Sequence, residues 1–208
     1  PTRGRIVVAC MDGEWHALPP RLVAEVLRLR GWRVTFLGAS VPAAHLVSYL
    51  HRHDAHAVAL ACAVPVRLPQ AHRMVEACRR ADVPVLVGGR GFGADGRWAD
   101  RLGMLWAPDA PAAADLVADA RALSRVPPAR LDHLADDEYA ALVARRAELV
   151  DGALADLRER VPATRAYDRA RLDATVSDLG HILDFLAAAL YVDDGSLFTE
   201  FVRWLGTV

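Results

Sequence analysis

The chain is short of cysteine, of long apolar runs and of any excess of charge. Its three cysteines, Cys10, Cys62 and Cys78, include no Cys-x-x-Cys pair, and Cys10 and Cys62 sit inside apolar runs. That spacing argues against a disulfide framework and reads as buried thiols in a reducing compartment. No apolar run approaches the ~20 residues a membrane-spanning helix needs, and no signal-peptide pattern precedes the first apolar run. The 25 Lys and Arg residues nearly balance 26 Asp and Glu, and the formal net charge is −1. A dedicated nucleic-acid binder usually carries a basic stripe, and none is visible. No Ser/His/Asp grouping or carboxylate pair at a recognisable spacing emerges, so nothing argues for hydrolysis. The first residue is Pro1, as in a trimmed chain or fragment. A cytoplasmic protein with no direct nucleic-acid or membrane contact is expected.

What is present is an ordinary globular composition. The 208 residues are 53% hydrophobic and 25% charged, enough for one large domain or two small ones. Arg5–Cys10, Arg33–Leu37, Ala57–Cys62 and Pro84–Val87 read as strands buried on both faces, with Met104–Trp106 a weaker fifth. Between and after them, Pro20–Arg30, Pro42–His53, Pro69–Ala81 and Pro111–Leu123 read as helices. Several open with proline, which suits a first turn where its missing N–H has no partner anyway. This alternation predicts right-handed crossovers and a doubly wound five-stranded parallel sheet of the Rossmann or flavodoxin type over residues 1–124.

The prolines of Arg125–Arg130 mark a linker, and residues 131–208 read as an all-α domain. Helices are expected over Asp136–Arg160, stopped by Pro162, then over Asp168–Val192, then over Ser196–Leu205 after a turn at Asp193–Gly195. So few helices make a thin bundle, which should pack on the first domain or on another chain, a homodimer included.

In an open α/β sheet, ligands bind beyond the carboxyl ends of the strands. Those ends read Met11–Leu18, Gly38–Val41, Ala63–Val66 and Gly88–Gly93. The first is long for such a loop and carries Asp12, Gly13, Glu14, Trp15, His16 and Leu18. Small residues at Gly38, Ala39, Ser40, Ala61 and Ala63 leave room, with Val41, Val64 and Pro65 beside them. The run Gly88, Gly89, Arg90, Gly91 lets backbone approach a bulky ligand. The picture is a deep slot with one imidazole at its mouth.

This layout resembles cobalamin-binding domains, which carry Asp-x-His-x-x-Gly after the first strand, Ser-x-Leu or Ser-x-Thr after the third and Gly-Gly after the fourth. Here the corresponding residues are Glu14-Trp15-His16-Ala17-Leu18-Pro19, Ala61-Cys62-Ala63 and Gly88-Gly89, and the match runs from about Arg5 to Leu123. The resemblance implies that His16 is the axial ligand to cobalt, that Glu14 orients its imidazole, and that the nucleotide tail enters the slot. Glu for Asp, Pro19 for Gly and Ala61 for Ser are departures, the last removing one contact to the tail.

Two further patterns are discounted. Gly91-x-Gly93-x-x-Gly96 matches a dinucleotide fingerprint but follows the fourth strand, with no clear long helix at its end. His51, His53 and His56 crowd a helix terminus, where histidine suits the dipole without any metal.

The domain order, with GEWHALPPRLVAEVLRLRGWRVTFLG in front and HILDFLAAALYVDDGSLFTEFVRWL behind, resembles the photocobilins. That resemblance implies light sensing by adenosylcobalamin and biliverdin, passed to a separate or fused output domain. With no cysteine in the tail, biliverdin binding is expected to be non-covalent. On Asp168–Val192, Ala174, Ser177, His181, Phe185, Ala188 and Val192 share a face opposite the leucines. His181 and Phe185 are therefore candidates to meet a chromophore, His181 as an upper cobalt ligand. A helix buried on both sides in a dimer, or an exposed histidine, reads equally well. Tyr191, Phe198, Phe201 and Trp204 read as core; Arg165, Arg169 and Arg203 are candidates to pair bilin propionates but read first as surface. The competing functions are a corrinoid carrier passing methyl groups between separate methyltransferases and an interaction module that has kept the fold without a ligand.

Overall fold

A computed structural model describes residues 3–124 and 127–207. Five parallel strands, β1 (Arg3–Cys10), β2 (Trp32–Phe36), β3 (Ala57–Ala61), β4 (Val85–Gly88) and β5 (Leu105–Ala107), pair in the order β2-β1-β3-β4-β5. The expected sheet is present, the weak fifth strand included. β1 lies between β2 and β3, and Ile6 to Cys10 are almost inaccessible to solvent, which is why this run shows no alternation. Helices α1 (Leu18–Leu29), α2 (Ala43–Arg52), α3 (Leu68–Arg80), α4 (Arg97–Arg101), α5 (Ala110–Ala118) and α6 (Ala120–Ser124) fill the crossovers and follow β5.

One sheet face packs Ile6, Val8, Ala59 and Leu86 against Ala24 and Leu27 of α1 and Ala113 and Val117 of α5. Burying a leucine such as Leu27 stabilises the fold by roughly 1.5–3 kcal/mol. Register places Cys10 beside Ala61, Ala61 beside Gly88, and Gly88 beside Ala107. These four small residues end their strands in one row, and the loops that follow share one edge. The chain leaves β1 toward β2 on one side and returns to β3 on the other, so the switch point of the fold lies at this edge.

Two expected helices are interrupted. Pro111–Leu123 divides at Asp119, which is extended (φ −95°, ψ 94°) and accepts the N–H of Arg121 at 2.9 Å, capping α6. Asp136–Arg160 becomes α7 (Glu138–Ala144) and α8 (Arg146–Arg160), after a short 3₁₀ turn at Asp132–Asp136 and a left-handed Asp137. Between α7 and α8 the Arg145 guanidinium grips the Glu148 carboxylate through two hydrogen bonds of 2.9 Å, bracketing the break.

The chain divides into two compact units, residues 1–130 and 131–208. In the second, α8 and α9 (Arg169–Tyr191) form an antiparallel hairpin in which Arg146 meets Asp184 at 2.6 and 2.9 Å. Asp168 caps α9 through the N–H of Arg171, and Asp194 caps α10 (Gly195–Leu205) through that of Ser196. α10 folds back on α9, stacking Phe201 on Phe185 at 3.7 Å between ring centres.

Candidate functional site

The first loop is held by its own backbone and by its neighbours. Glu14 N–H closes a turn on Met11 O (2.9 Å), and Met11 N–H donates to Ala61 O (3.1 Å). Gly13 has φ +75°, where a side chain would be strained, and a Cβ there would fall 2.8 Å from the Arg67 guanidinium and have to displace it. Ser40, from the loop after β2, accepts the Gly13 N–H on its hydroxyl (3.1 Å) and donates its own N–H to Glu14 O (2.8 Å). Glu14 is thereby turned inward, with 2% of its side chain exposed, and His16 outward, with 64% exposed.

Each oxygen of Glu14 has a task. Oε1 accepts the His16 N–H (2.8 Å) and contacts His16 Nδ1 (2.5 Å), while Oε2 accepts the Ala63 N–H (2.6 Å). Burial alone pushes this carboxyl up, but the two backbone N–H groups and the imidazole outweigh it and hold it below its ordinary value. An ionised Glu14 can only accept, so Nδ1 carries a proton, and in the neutral imidazole the lone pair then sits on Nε2. That is the tautomer a metal ligand requires. Cys10, just before the loop, is pushed up to about 11 by burial and by Glu14, so it remains a neutral thiol.

Behind the loop lies a cavity of ≈ 320 Å³. Val8, Ala59, Ala61, Leu86, Gly88 and Ala107 line it from the sheet, Pro19, Pro20, Leu22 and Val23 from α1, and Asp109, Ala110 and Ala113 from the start of α5. The void exists because these strands end in alanine and glycine where a central sheet usually carries larger residues. On the same loop as His16 and the helix that follows it, Trp15 (74% exposed), Leu18 and Leu22 are apolar side chains left in solvent, and Leu22 also lines the cavity.

A family model for the B12-binding domain matches residues 4–116. The chain belongs to this B12-binding family. Similar solved structures include a cobalamin-binding protein from Desulfitobacterium hafniense (22% identity, 54% of this chain and 57% of that chain, TM-score 0.49). Others are the methanol:cobalamin methyltransferase complex of Methanosarcina barkeri (19%, 62% and 50%, 0.51) and the monomethylamine corrinoid protein of the same organism (23%, 54% and 55%, 0.44). At 19% identity, the methyltransferase complex shows a common fold alone. The chain spans about half the length of each. Among curated proteins, none matches it.

The residues present fit a B12 cofactor: an exposed imidazole held by a buried carboxylate, exposed apolar side chains on the same loop and helix, and an apolar slot whose wall starts at Pro19, three residues on. Of the positions named from sequence, Gly13, Glu14, His16, Ser40 and Ala63 meet in one hydrogen-bonded cluster. Ala61, Gly88 and Gly89 line the cavity. Asp12 and Arg90 are exposed, Gly38 (φ +93°) and Ala39 are half-buried in the second loop, and Val64 and Pro65 lead into a 3₁₀ turn before α3. Val41 is turned into the core.

The glycine run needs a correction. A Cβ on Gly89 (φ +105°) would stand 2.3 Å from Cys62 O, and one on Gly91 would stand 2.8 Å from the same oxygen. These glycines bring the fourth loop against the third; Gly91 is buried there and does not face the slot. Gly96 likewise packs under the Trp106 indole, so the apparent dinucleotide fingerprint is a set of intramolecular close approaches, with the short α4 opening after it. His56 packs against the Trp32 ring and His53 against Tyr49, each pair tilted, and among the described residues no group of three His, Cys, Asp or Glu could hold a metal ion.

His181 and Phe185 lie in the helical unit. The face they were expected to share is not continuous: Ala174, Ser177 and His181 are exposed, Phe185 is stacked on Phe201, and Ala188 and Val192 are buried. Of the aromatics expected in the core, Tyr191 and Phe201 are buried but Trp204 is 57% exposed. The sequence reading missed Val8, Leu22, Val23, Ala59, Leu86 and Asp109 as cavity residues. Counting alternate positions along β1, β3 and β4 would have placed Val8, Ala59, Ala61, Leu86 and Gly88 on one face.

Proposed function

We propose that the α/β unit holds cobalamin with His16 as the protein's ligand to cobalt and the nucleotide tail in the 320 Å³ cavity, and that the chain serves as a corrinoid carrier in methyl transfer. The observation that carries this is the pairing of buried Glu14 with exposed His16, 2.5 Å apart, on the loop that runs into the cavity-lining Pro19 and Pro20. When bound, cobalamin supplies a cobalt–carbon bond that methyl transfer or light can break. Glu14 keeps the proton on Nδ1 and the lone pair on Nε2. Trp15, Leu18 and Leu22 offer an apolar bed to the macrocycle. In this reading, donation and acceptance of the methyl group fall to separate methyltransferases. The name of one structural neighbour, a methanol:cobalamin methyltransferase complex, puts methyl carriage ahead of light sensing.

A second reading is a photoreceptor carrying adenosylcobalamin and biliverdin, signalling to a partner or output domain. It is favoured by the stacked Phe185 and Phe201 with exposed Trp204 beside them, an aromatic platform one helical turn from His181 that a methyl carrier does not use. Absorption spectra of the chain loaded in darkness with methylcobalamin, or with adenosylcobalamin and biliverdin, separate the readings. A His-ligated spectrum that is lost in His16→Ala, with methyl exchange to a methyltransferase, supports the carrier. Retained bilin bands and a lasting light-driven change, altered in His181→Ala, support the photoreceptor. An unchanged cobalt spectrum in His16→Ala would remove His16 from both.

A further inference from the structure

The cavity behind His16 offers almost nothing to a polar guest. Asp109 is the one lining residue with a polar side chain, and its Oδ1 already accepts the Ala112 N–H at 2.8 Å. At the strand ends, the Ala61 carbonyl accepts the Met11 N–H (3.1 Å) and the Gly88 carbonyl accepts the Cys62 N–H (3.0 Å). Ala61 itself has no hydroxyl to turn inward. A ring buried against the sheet wall of the slot, away from the exposed Asp109 at the start of α5, therefore meets apolar side chains, and each ring nitrogen or amine that loses water there without a new partner weakens binding.

Cobamides share the macrocycle and differ mainly in the base at the end of the tail, which is a benzimidazole, a purine or a phenol. We infer that this cavity selects among cobamides by that base, taking benzimidazolyl and phenolyl forms about equally and disfavouring purinyl ones. The inference rests on the cobalamin reading above and names the ligand class of the same site. The exocyclic amine and extra ring nitrogens of adenine meet only apolar side chains along the wall formed by Val8, Ala59, Ala61, Leu86 and Ala113.

The test is an equilibrium titration of the whole chain with cobinamide, cobalamin, a phenolyl cobamide and an adeninyl cobamide, followed by absorbance and by quenching of tryptophan emission. Cobinamide lacks the base and reports on the His16 end alone. Adeninyl cobamide should bind about tenfold more weakly than cobalamin, with the phenolyl form close to cobalamin. Ala61→Ser, which adds a hydroxyl to the slot, should narrow the gap. Equal affinities for adeninyl cobamide and cobalamin would overturn the selectivity, and a gap unmoved by Ala61→Ser would overturn its assignment to this cavity. Failure of every form to bind, cobinamide included, would instead overturn the cobalamin reading. The wild-type series stands without the variant.

Discussion

The two units bury their residues differently. In residues 1–130 the strands supply a continuous core, with Ile6, Val7, Ala9, Cys10, Leu27 and Phe92 wholly inaccessible. Among the described residues of 131–208 the leucines of α9 are only half-buried, and the buried set is Val150, Thr164, Gly180 and the α9–α10 corner of Ala188, Ala189, Tyr191, Val192, Leu197 and Phe201. A sheet covered on both faces removes whole strands from water, whereas a hairpin of helices hides one stripe of each. The difference matters for function. The loops that hold Glu14 and His16 are rooted in the rigid unit, and orientation of an exposed ligand needs such a base.

Mutations can break or sharpen this contrast. The largest loss should come from Phe92→Ala, which empties a fully buried site in the first unit; about 3–5 kcal/mol is expected from denaturant unfolding. Leu183→Ala, at a half-buried position on α9, should cost clearly less, about 1–2 kcal/mol. A cost equal to that of Phe92→Ala would show the helical unit to be as tightly packed as the first. Next is Gly89→Ala, which must place a Cβ against Cys62 O at positive φ. It should cost about 2–3 kcal/mol and weaken cobalamin binding without touching His16.

Glu14→Gln comes third, at about 1–2 kcal/mol, because the amide cannot accept from three N–H groups as a carboxylate does. Its effect has a pH signature. The folded-state pKa of Glu14 lies below its ordinary 4.5, so its stabilisation is complete above that unfolded value. It is lost as pH falls through the lower folded value. Wild type should therefore lose stability on that acid limb more steeply than Glu14→Gln, as thermal melts across pH would record. Parallel limbs would mean the carboxylate is not held ionised. The smallest effect belongs to the helical unit's own charged pair. Arg146→Ala removes a solvent-facing contact to Asp184 and should cost about 0.5–1 kcal/mol, shrinking in high salt.

Much of the first unit was legible in the chain. β-branched runs separated by amphipathic segments specify parallel crossovers, and the order of loops then puts the Glu14–His16 stretch at the ligand edge. The helix breaks at Asp119 and Arg145 were not legible, because apolar spacing continues across both while single side-chain contacts decide them. Nor was the second partner of Glu14. Its oxygen meets the N–H of Ala63, 49 positions away, and nothing in either segment announces the other. The glycines after β4 were legible as glycines, but what they approach is the Cys62 backbone, a neighbour that exists only once β3 and β4 are in register.

By itself the sequence determined which segments become strands and helices, the edge at which a ligand can bind and the imidazole that stands there, since these follow from local periodicity and from the handedness of crossovers. Tertiary structure alone decided which nitrogen of His16 faces Glu14, the shape and apolar lining of the cavity, and the discontinuity of the α9 face. Each depends on which distant groups share a few ångströms, and that is set by packing rather than by spacing along the chain.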